Sequence, residues 1–248
     1  MAAYDFSAPR LFVSTALGHG LHVTLDRAQA NYLLNVLRLK AGENVLVFNG
    51  RDGEWRAELA IEGRRTAELR LVEPTRSQTA PNDLLYLFAP LKHARLDYMA
   101  QKAVEMGVGA LKPIFTRRTQ VSRVNRERLR ANAVEAAEQC GILAVPEVLE
   151  EQDLGPALAA LEPDRLLIFC DEDAPQTNPV LALESVRHRT LKIAVAVGPE
   201  GGFTQEERAL FAARSGGLRL SLGPRILRAD TAAVAVLALV QAVLGDWR

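Results

Sequence analysis

Two stretches near the C-terminus carry residue types able to do chemistry. The first is Val197-Gly198-Pro199-Glu200-Gly201-Gly202-Phe203. The second is Leu222-Gly223-Pro224-Arg225-Ile226-Leu227-Arg228-Ala229-Asp230-Thr231-Ala232. Glycines let a backbone take positive φ and approach a bound molecule closely. Glu200 offers a carboxylate to a ribose hydroxyl or a cation. Arg225 and Arg228 are permanent cations, suited to phosphate or to negative charge developing on a substrate. Neither stretch ends in the Gly-Lys-Ser/Thr of a triphosphate loop and neither fits GxGxxG, which disfavours nucleoside triphosphates and Rossmann dinucleotides. A glycine-rich turn after a strand is also an ordinary structural turn, and composition alone leaves both readings open.

The elements around these stretches say where they stand. Residues 192–197 form a short apolar strand leading into the first. Thr204-x-x-Glu207 then makes a capping box for a helix expected to end at Gly216-Gly217. Residues 218–222 form a further strand, and Asp230 or Thr231 is expected to cap a last helix that runs to Leu244. Both stretches therefore leave strand ends, expected to be adjacent, where ligands bind in open parallel sheets. From residue 84 onward strands (84–89, 111–115, 166–170) alternate with helices (around 96–106 and 129–140). This predicts an α/β domain, a parallel sheet covered by helices. Residues 1–73 instead read as short strands (45–48, 55–61, 66–72) around the turns Asn49-Gly50 and Asp52-Gly53. They include one helix on which Ala30, Leu33, Leu34 and Leu37 share a face, and a small β-barrel is expected. Residues 74–83, with Pro74, Ser77 and Pro81, read as the linker.

Composition narrows the function classes. Of 248 residues, 48% are hydrophobic and 24% charged, enough to fill a core without disulfides. Cys140 and Cys170 lack CxxC or Cys/His spacing and read as buried thiols of a reducing compartment, with no metal site expected. The N-terminus lacks a signal-peptide pattern, and the longest apolar run, 232–240, is too short to span a bilayer, so a cytoplasmic location is expected. Net charge is zero. Its distribution is uneven, however. Residues 112–130 hold Lys112, Arg117, Arg118, Arg123, Arg126, Arg128 and Arg130 against Glu127 alone, while 147–173 hold nine acids and only Arg165. Such asymmetry fits an anionic partner, or equally a solvated helix face beside an acidic surface.

GPEGGFTQEE followed by LGPRILRADTA resembles the paired signature of the RsmE family, 16S ribosomal RNA uridine N3-methyltransferases of the SPOUT superfamily. RLFV, NYLLNVLRLKAGENV, QKAVEMGV, TRRTQ and EAAEQCG are similar to family blocks in the same order, so the likeness covers nearly the whole chain. The resemblance implies a C-terminal trefoil knot and a PUA-like RNA-binding barrel at 1–73. It implies a SPOUT methyltransferase domain at 84–248, with S-adenosyl-L-methionine as cofactor. The implied cofactor contacts are Val197, Gly198, Pro199, Glu200, Gly201, Gly202, Leu220, Leu222, Gly223, Ile226, Leu227, Arg228, Thr231 and Ala232. It also implies a homodimer, in keeping with a last helix apolar on nearly every side; a central core helix of a monomer would look the same. The implied partner is 16S rRNA in the small ribosomal subunit.

For that reaction Arg228 is the candidate for stabilising a uridine anion, with Asp230 and Glu200 as candidate proton acceptors. Asp230 reads equally as a helix cap, and Glu200 equally as a cofactor contact. Where this chain has Asp230, many family members have glutamate. Candidate RNA contacts are Arg10, Arg38, Lys40, Lys92, Arg117, Arg118 and Arg123. After Lys92 the family usually has Gly-Asp, whereas this chain has His93-Ala94; His93 reads as a helix-start residue. Two other readings remain: a SPOUT enzyme acting on a different RNA, and an RNA-binding assembly factor without turnover.

Overall fold

The computed structural model describes residues 8–61, 66–188, 192–214 and 216–247. The start of the chain, used above to judge a signal peptide, lies outside them, as does the side chain of His93. Two compact units emerge. One comprises residues 1–80 with 137–145, and the other 81–136 with 146–248.

The first unit holds β1 (Arg10–Phe12), β2 (His22–Thr24), α1 (Arg27–Asn31), β3 (Asn44–Phe48), β4 (Glu54–Ile61) and β5 (Ala67–Arg76). Its sheet runs β1-β3-β4-β5-β2, parallel at β1–β3 and antiparallel elsewhere. Alternation sets the buried face: Ala57 and Leu59 on β4 and Ala67, Leu69 and Leu71 on β5 point into one core with Val45, Val47 and Leu33. Asp26 caps α1 in a full capping box with Gln29. The helix then widens into a π turn at Tyr32–Val36, closed by Leu37 N–H donating to the Tyr32 carbonyl at 2.9 Å. The wider turn breaks the 3.6-residue repeat, and Leu37, expected on the buried face, is 36% exposed.

β5 continues to Arg76, three residues into the stretch read as linker. Register shifts around the Trp55–Pro74 pair leave Val72 and Thr75 as extra residues. Pro74, which has no N–H, is accommodated at this irregularity. The β3–β4 connection is tied by Asn49, whose Oδ1 accepts from the N–H groups of Arg51 and Asp52. Gly53 (φ +78°) lies so close to β5 that a Cβ would sit 2.3 Å from the Arg76 carbonyl oxygen.

The second unit alternates β6 (Leu84–Phe88), α2 (His93–Glu105), β7 (Ala110–Phe115), α3 (Arg126–Cys140), β8 (Glu147–Val148), β9 (Gln152–Asp153), α4 (Leu154–Ala159), β10 (Leu166–Cys170), α5 (Pro179–Glu184), β11 (Ile193–Val197), α6 (Gln205–Ala213), β12 (Leu218–Leu220) and α7 (Ala229–Val243). All described strand pairs here are parallel, in the order β12-β10-β11-β6-β7-β8, with β9 also on β7. β11 is buried at every residue, as a central strand covered on both faces must be. Leu167, Phe169, Ala194, Ala196 and Leu87 face α4 and α6, where Phe211 stacks on Phe169 at 4.3 Å between ring centroids. The alternate residues face the side where α2 and α5 pack on α7.

Thr204 and Glu207 form the expected capping box on α6. The helix stops at Ala213 rather than at Gly216-Gly217, because Arg214 already has extended backbone. The cap of α7 is Arg228, not Asp230 or Thr231. Asp230 stands in the first turn, where a carboxylate favours the positive end of the helix dipole without capping it. Among the described residues no helix is long and apolar enough to cross a membrane.

Candidate functional site

β10 lies between β11 and β12 in the sheet, so the two glycine-bearing stretches do not leave adjacent strands. The carboxyl end of β10 falls between them, and all three strand ends line one cleft of about 180 Å³. Twelve of the fourteen residues expected to contact a cofactor line it: Val197, Gly198, Pro199, Glu200, Gly201, Gly202, Leu220, Leu222, Gly223, Ile226, Leu227 and Ala232. Arg228 and Thr231 do not. Cys170, Asp171, Glu172, Phe203, Arg225 and Ala229 were not expected and do. The acidic run after β10 resembles any solvated loop, and only the strand order brings it here.

The first loop is a tight turn closed by Gly202 N–H donating to the Pro199 carbonyl at 2.8 Å. Gly202 has φ +67°, which an L side chain tolerates poorly, and Gly223 in the second loop has φ +98°. At Gly198 a Cβ would lie 3.1 Å from the Phe203 ring. Glu200, half exposed, is held from one side by Arg95 Nη1 at 2.5 Å from its Oε1. The opposite wall is apolar: Leu220 is buried, Leu222 and Leu227 are half-buried, and Ile226 stands 84% exposed at the mouth.

On the floor, Asp171 is fully buried and bonded to Arg219 Nε at 2.9 Å. Arg208 reaches Asp171 (3.3 Å), Glu172 (2.6 Å) and Asp173. These three carboxylates are close enough together for a cation. Two guanidinium groups already answer their charge. Cys170 is half-buried, and burial, reinforced by the Asp171 carboxylate, pushes its thiol up to about 12. Cys140, expected to be buried, is exposed: it is the last residue of α3, one turn beyond the buried Ala136 and Ala137 of the same helix face.

Of the candidate catalytic groups, Glu200 lines the cleft, whereas Arg228 and Asp230 do not. Arg228 is exposed and makes no side-chain cap bond. Asp230 is half-buried and accepts from the Thr231 N–H at 2.9 Å. Of the candidate RNA contacts, Arg38, Lys40, Lys92, Arg117, Arg118 and Arg123 are exposed. Arg10 is not, and that expectation fails. It is 6% exposed, paired with Glu54 at 2.8 Å, and its Nη1 donates to the Ala137 carbonyl at 2.6 Å and the Glu138 carbonyl at 3.1 Å. A guanidinium buried on an internal carboxylate and backbone carbonyls is not presented to a phosphate.

Residues 78–241 match the RNA methyltransferase domain family, and residues 25–72 its PUA domain. The chain is 30% identical to the ribosomal RNA small subunit methyltransferase E of Rickettsia conorii, with 94% of each chain covered. It is 33% identical to the protein of that name from Synechocystis, over 90% of this chain and 73% of that one. Among solved structures, the ribosomal RNA small subunit methyltransferase E of Neisseria gonorrhoeae bound to S-adenosyl methionine superposes with a TM-score of 0.86 at 30% identity. It covers 97% of this chain and 100% of its own. A chain with this cleft, this parallel order and matches of this extent belongs to the small-subunit ribosomal RNA methyltransferase E family of RNA methyltransferases.

Proposed function

We propose that this protein transfers a methyl group from S-adenosyl-L-methionine to N3 of a uridine in 16S ribosomal RNA of the small subunit. The observation that carries this reading is the single cleft where two glycine-bearing loops and the end of β10 converge, in a chain whose Neisseria relative is bound to that donor. The residues present fit the molecule. Leu220, Leu222, Ile226 and Leu227 give an apolar wall for a purine, the loop at Gly198–Gly202 admits close backbone approach, and Glu172 and Glu200 offer acceptors to ribose hydroxyls.

When bound, the donor supplies a methyl group on a sulfonium sulfur that is already electrophilic. The difficulty lies with the acceptor. Uracil N3 keeps its proton until a couple of pH units above neutrality, and each unit costs about 1.4 kcal/mol. Arg228, cationic at all working pH values and placed at the positive N-terminus of α7, stabilises the anion that forms as the proton leaves. Asp230, two residues further along, and Glu200 on the first loop are the candidate acceptors for that proton.

The remaining assignments belong to the same reading. Residues 1–73 bind RNA as the PUA-like domain, 74–83 link, and 84–248 carry catalysis. The segment after β12 is threaded as a trefoil knot. Arg38, Lys40, Lys92, Arg117 and Arg123 contact RNA, and the protein works in the cytoplasm. α7 supports a homodimer: Val234, Ala235, Ala238 and Leu239 form an apolar stripe left only half-buried in one chain.

Small subunits and naked 16S RNA incubated with methyl-labelled donor test the reading, with mass mapping of the product. Label on one uridine, lost in Arg228→Ala while donor affinity stays within about threefold of wild type, is the expected result. Label on transfer RNA or on another base would overturn the substrate assignment. RNA binding without any transfer would favour an assembly factor.

A further inference from the structure

The loop that forms the first wall of the cleft is braced from behind by the turn that follows β7. That turn, Thr116-Arg117-Arg118-Thr119, is closed on itself. Thr119 N–H donates to the Thr116 carbonyl at 3.1 Å, and Thr116 N–H donates to Thr119 Oγ1 at 2.9 Å. It meets the cleft loop and the helix after it at three points. Arg117 N–H donates to Glu207 Oε1 at 2.7 Å, and the other oxygen of Glu207 accepts from Thr204 N–H at 2.8 Å. Arg118 Nη1 donates to the Gly201 carbonyl. The aliphatic stem of Arg118 lies flat on Gly201, so that a Cβ there would stand 3.1 Å from Arg118 Cδ. From the other side Arg95 holds the neighbouring Glu200.

We propose that Arg118 is a positioning residue for the methyl-donor loop rather than an RNA contact: its guanidinium on the Gly201 carbonyl fixes the Gly198–Gly202 turn in its binding shape. A five-residue turn containing three glycines has many conformers to lose when a ligand binds. A charge-assisted bond to a carbonyl in the middle of that turn removes part of the loss beforehand. The absence of a side chain at Gly201 then has a specific cause, namely room for the arginine stem. Arg118 reaches the donor only through this loop, so its removal weakens donor binding and leaves RNA binding alone. This rests on the proposed donor site.

The test uses the full-length protein. S-adenosylmethionine is titrated calorimetrically into wild type, Arg118→Ala, Arg118→Lys and Gly201→Ala without RNA. RNA affinity and its salt slope are measured separately by anisotropy on a short 16S fragment. Arg118→Ala is expected to lose on the order of tenfold in donor affinity. Its KM for donor rises while kcat at saturating donor holds, and the salt slope for RNA is unchanged. Arg118→Lys, which keeps the stem and one donor, recovers part of the loss. Gly201→Ala, which pushes the stem off the loop, shows the same donor defect with Arg118 present. Wild-type donor affinity in Arg118→Ala, or a shallower salt slope with donor binding intact, overturns the proposal. A wild-type protein that binds no donor overturns the donor site itself, a separate and recognisable failure.

Discussion

The buried triad of the first unit allows the exclusion of Arg10 from RNA binding to be tested as an energy. Glu54 has a side chain only 3% exposed and accepts four hydrogen bonds: Arg10 Nε at 2.8 Å, Arg76 Nε at 2.9 Å, Arg76 Nη2 at 2.6 Å and Thr75 Oγ1 at 2.9 Å. Removing it in Glu54→Ala takes from the Arg10 charge, itself 2% exposed, the buried carboxylate that it shares with Arg76. Breaking a buried pair in this way costs about 3–5 kcal/mol. Arg10→Ala is milder, since Glu54 keeps Arg76 and Thr75 and the loss is mainly of donors to the 137–142 carbonyls; about 2–3 kcal/mol is expected. Urea unfolding followed by Trp55 fluorescence in a Trp247→Phe background reads this unit, because Trp55 neighbours Glu54 on β4. With a slope of about 2 kcal/mol per molar, the midpoint falls by roughly 2 M for Glu54→Ala and roughly 1 M for Arg10→Ala. Burial pushes the Glu54 carboxyl up, but the bonds from Arg76, Thr75 and Arg10 outweigh it and hold it below its ordinary 4.5. With the folded value depressed, the stabilisation is complete above pH 4.5 and is lost as pH falls through the folded value. The gap between wild type and Glu54→Ala is therefore constant from pH 8 to 6 and narrows below 4.5. The reasoning is refuted if Glu54→Ala shifts stability by under about 1 kcal/mol, or if Arg10→Ala weakens RNA binding with its unfolding midpoint unmoved.

Gly202→Ala places a Cβ at φ +67° beside Glu172, and the strain of about 1–2 kcal/mol is expected in donor affinity, a loss of roughly tenfold by calorimetry. Unchanged affinity would mean that the loop relaxes freely. At pH 8 a thiol reagent should modify Cys140 within minutes and Cys170 only on unfolding, read by mass spectrometry of peptides. The raised Cys170 value makes the folded state lose stability as pH climbs from 9 toward 12, a loss that Cys170→Ala should abolish. Leu239→Lys puts a charge on the half-buried stripe of α7 and is expected to yield monomers in light scattering. A dimer that survives it would place the subunit contact elsewhere.

The sequence displays the second unit clearly wherever burial on both faces demands uninterrupted apolar runs, as at 193–197, and wherever a helix start has its own chemistry, as at Thr204-x-x-Glu207. It misleads where local chemistry has a tertiary answer. Pro74 reads as a break, yet a register irregularity accommodates it within β5. Arg10 reads as a surface cation in an RNA-binding block, yet a carboxylate 44 positions away takes it inside. The helical repeat through Leu33 and Leu37 cannot reveal a π turn, which moves Leu37 toward solvent without changing a single residue type. At the site, the glycine loops announce themselves through composition. Cys170, Asp171 and Glu172 do not, because only the crossover that sets β10 between β11 and β12 gives them a ligand to face.

Strand order also alters the meaning of the charge pattern. The basic stretch at 112–130 and the acidic one at 147–173 are partly complementary rather than separate signals. β8 and β9 pair with β7, which brings Glu150 and Glu151 to Arg126, at 3.4 and 3.8 Å, and the Glu150 carbonyl to Lys112 Nζ at 2.7 Å. Arg128 is taken by Asp97 and Arg118 by Gly201. Seven basic residues in the sequence thus overstate the cationic surface that this stretch presents to a phosphate backbone. Among the described residues, Arg38, Lys40, Lys92, Arg123, Arg225 and Arg228 make no ion pair, and four of them (Arg38, Lys40, Lys92 and Arg228) lie outside the two stretches and do not line the cleft. A protein of zero net charge can hold RNA on those terms, because counter-ion release counts only the cations that meet phosphate and is indifferent to those already answered within the fold.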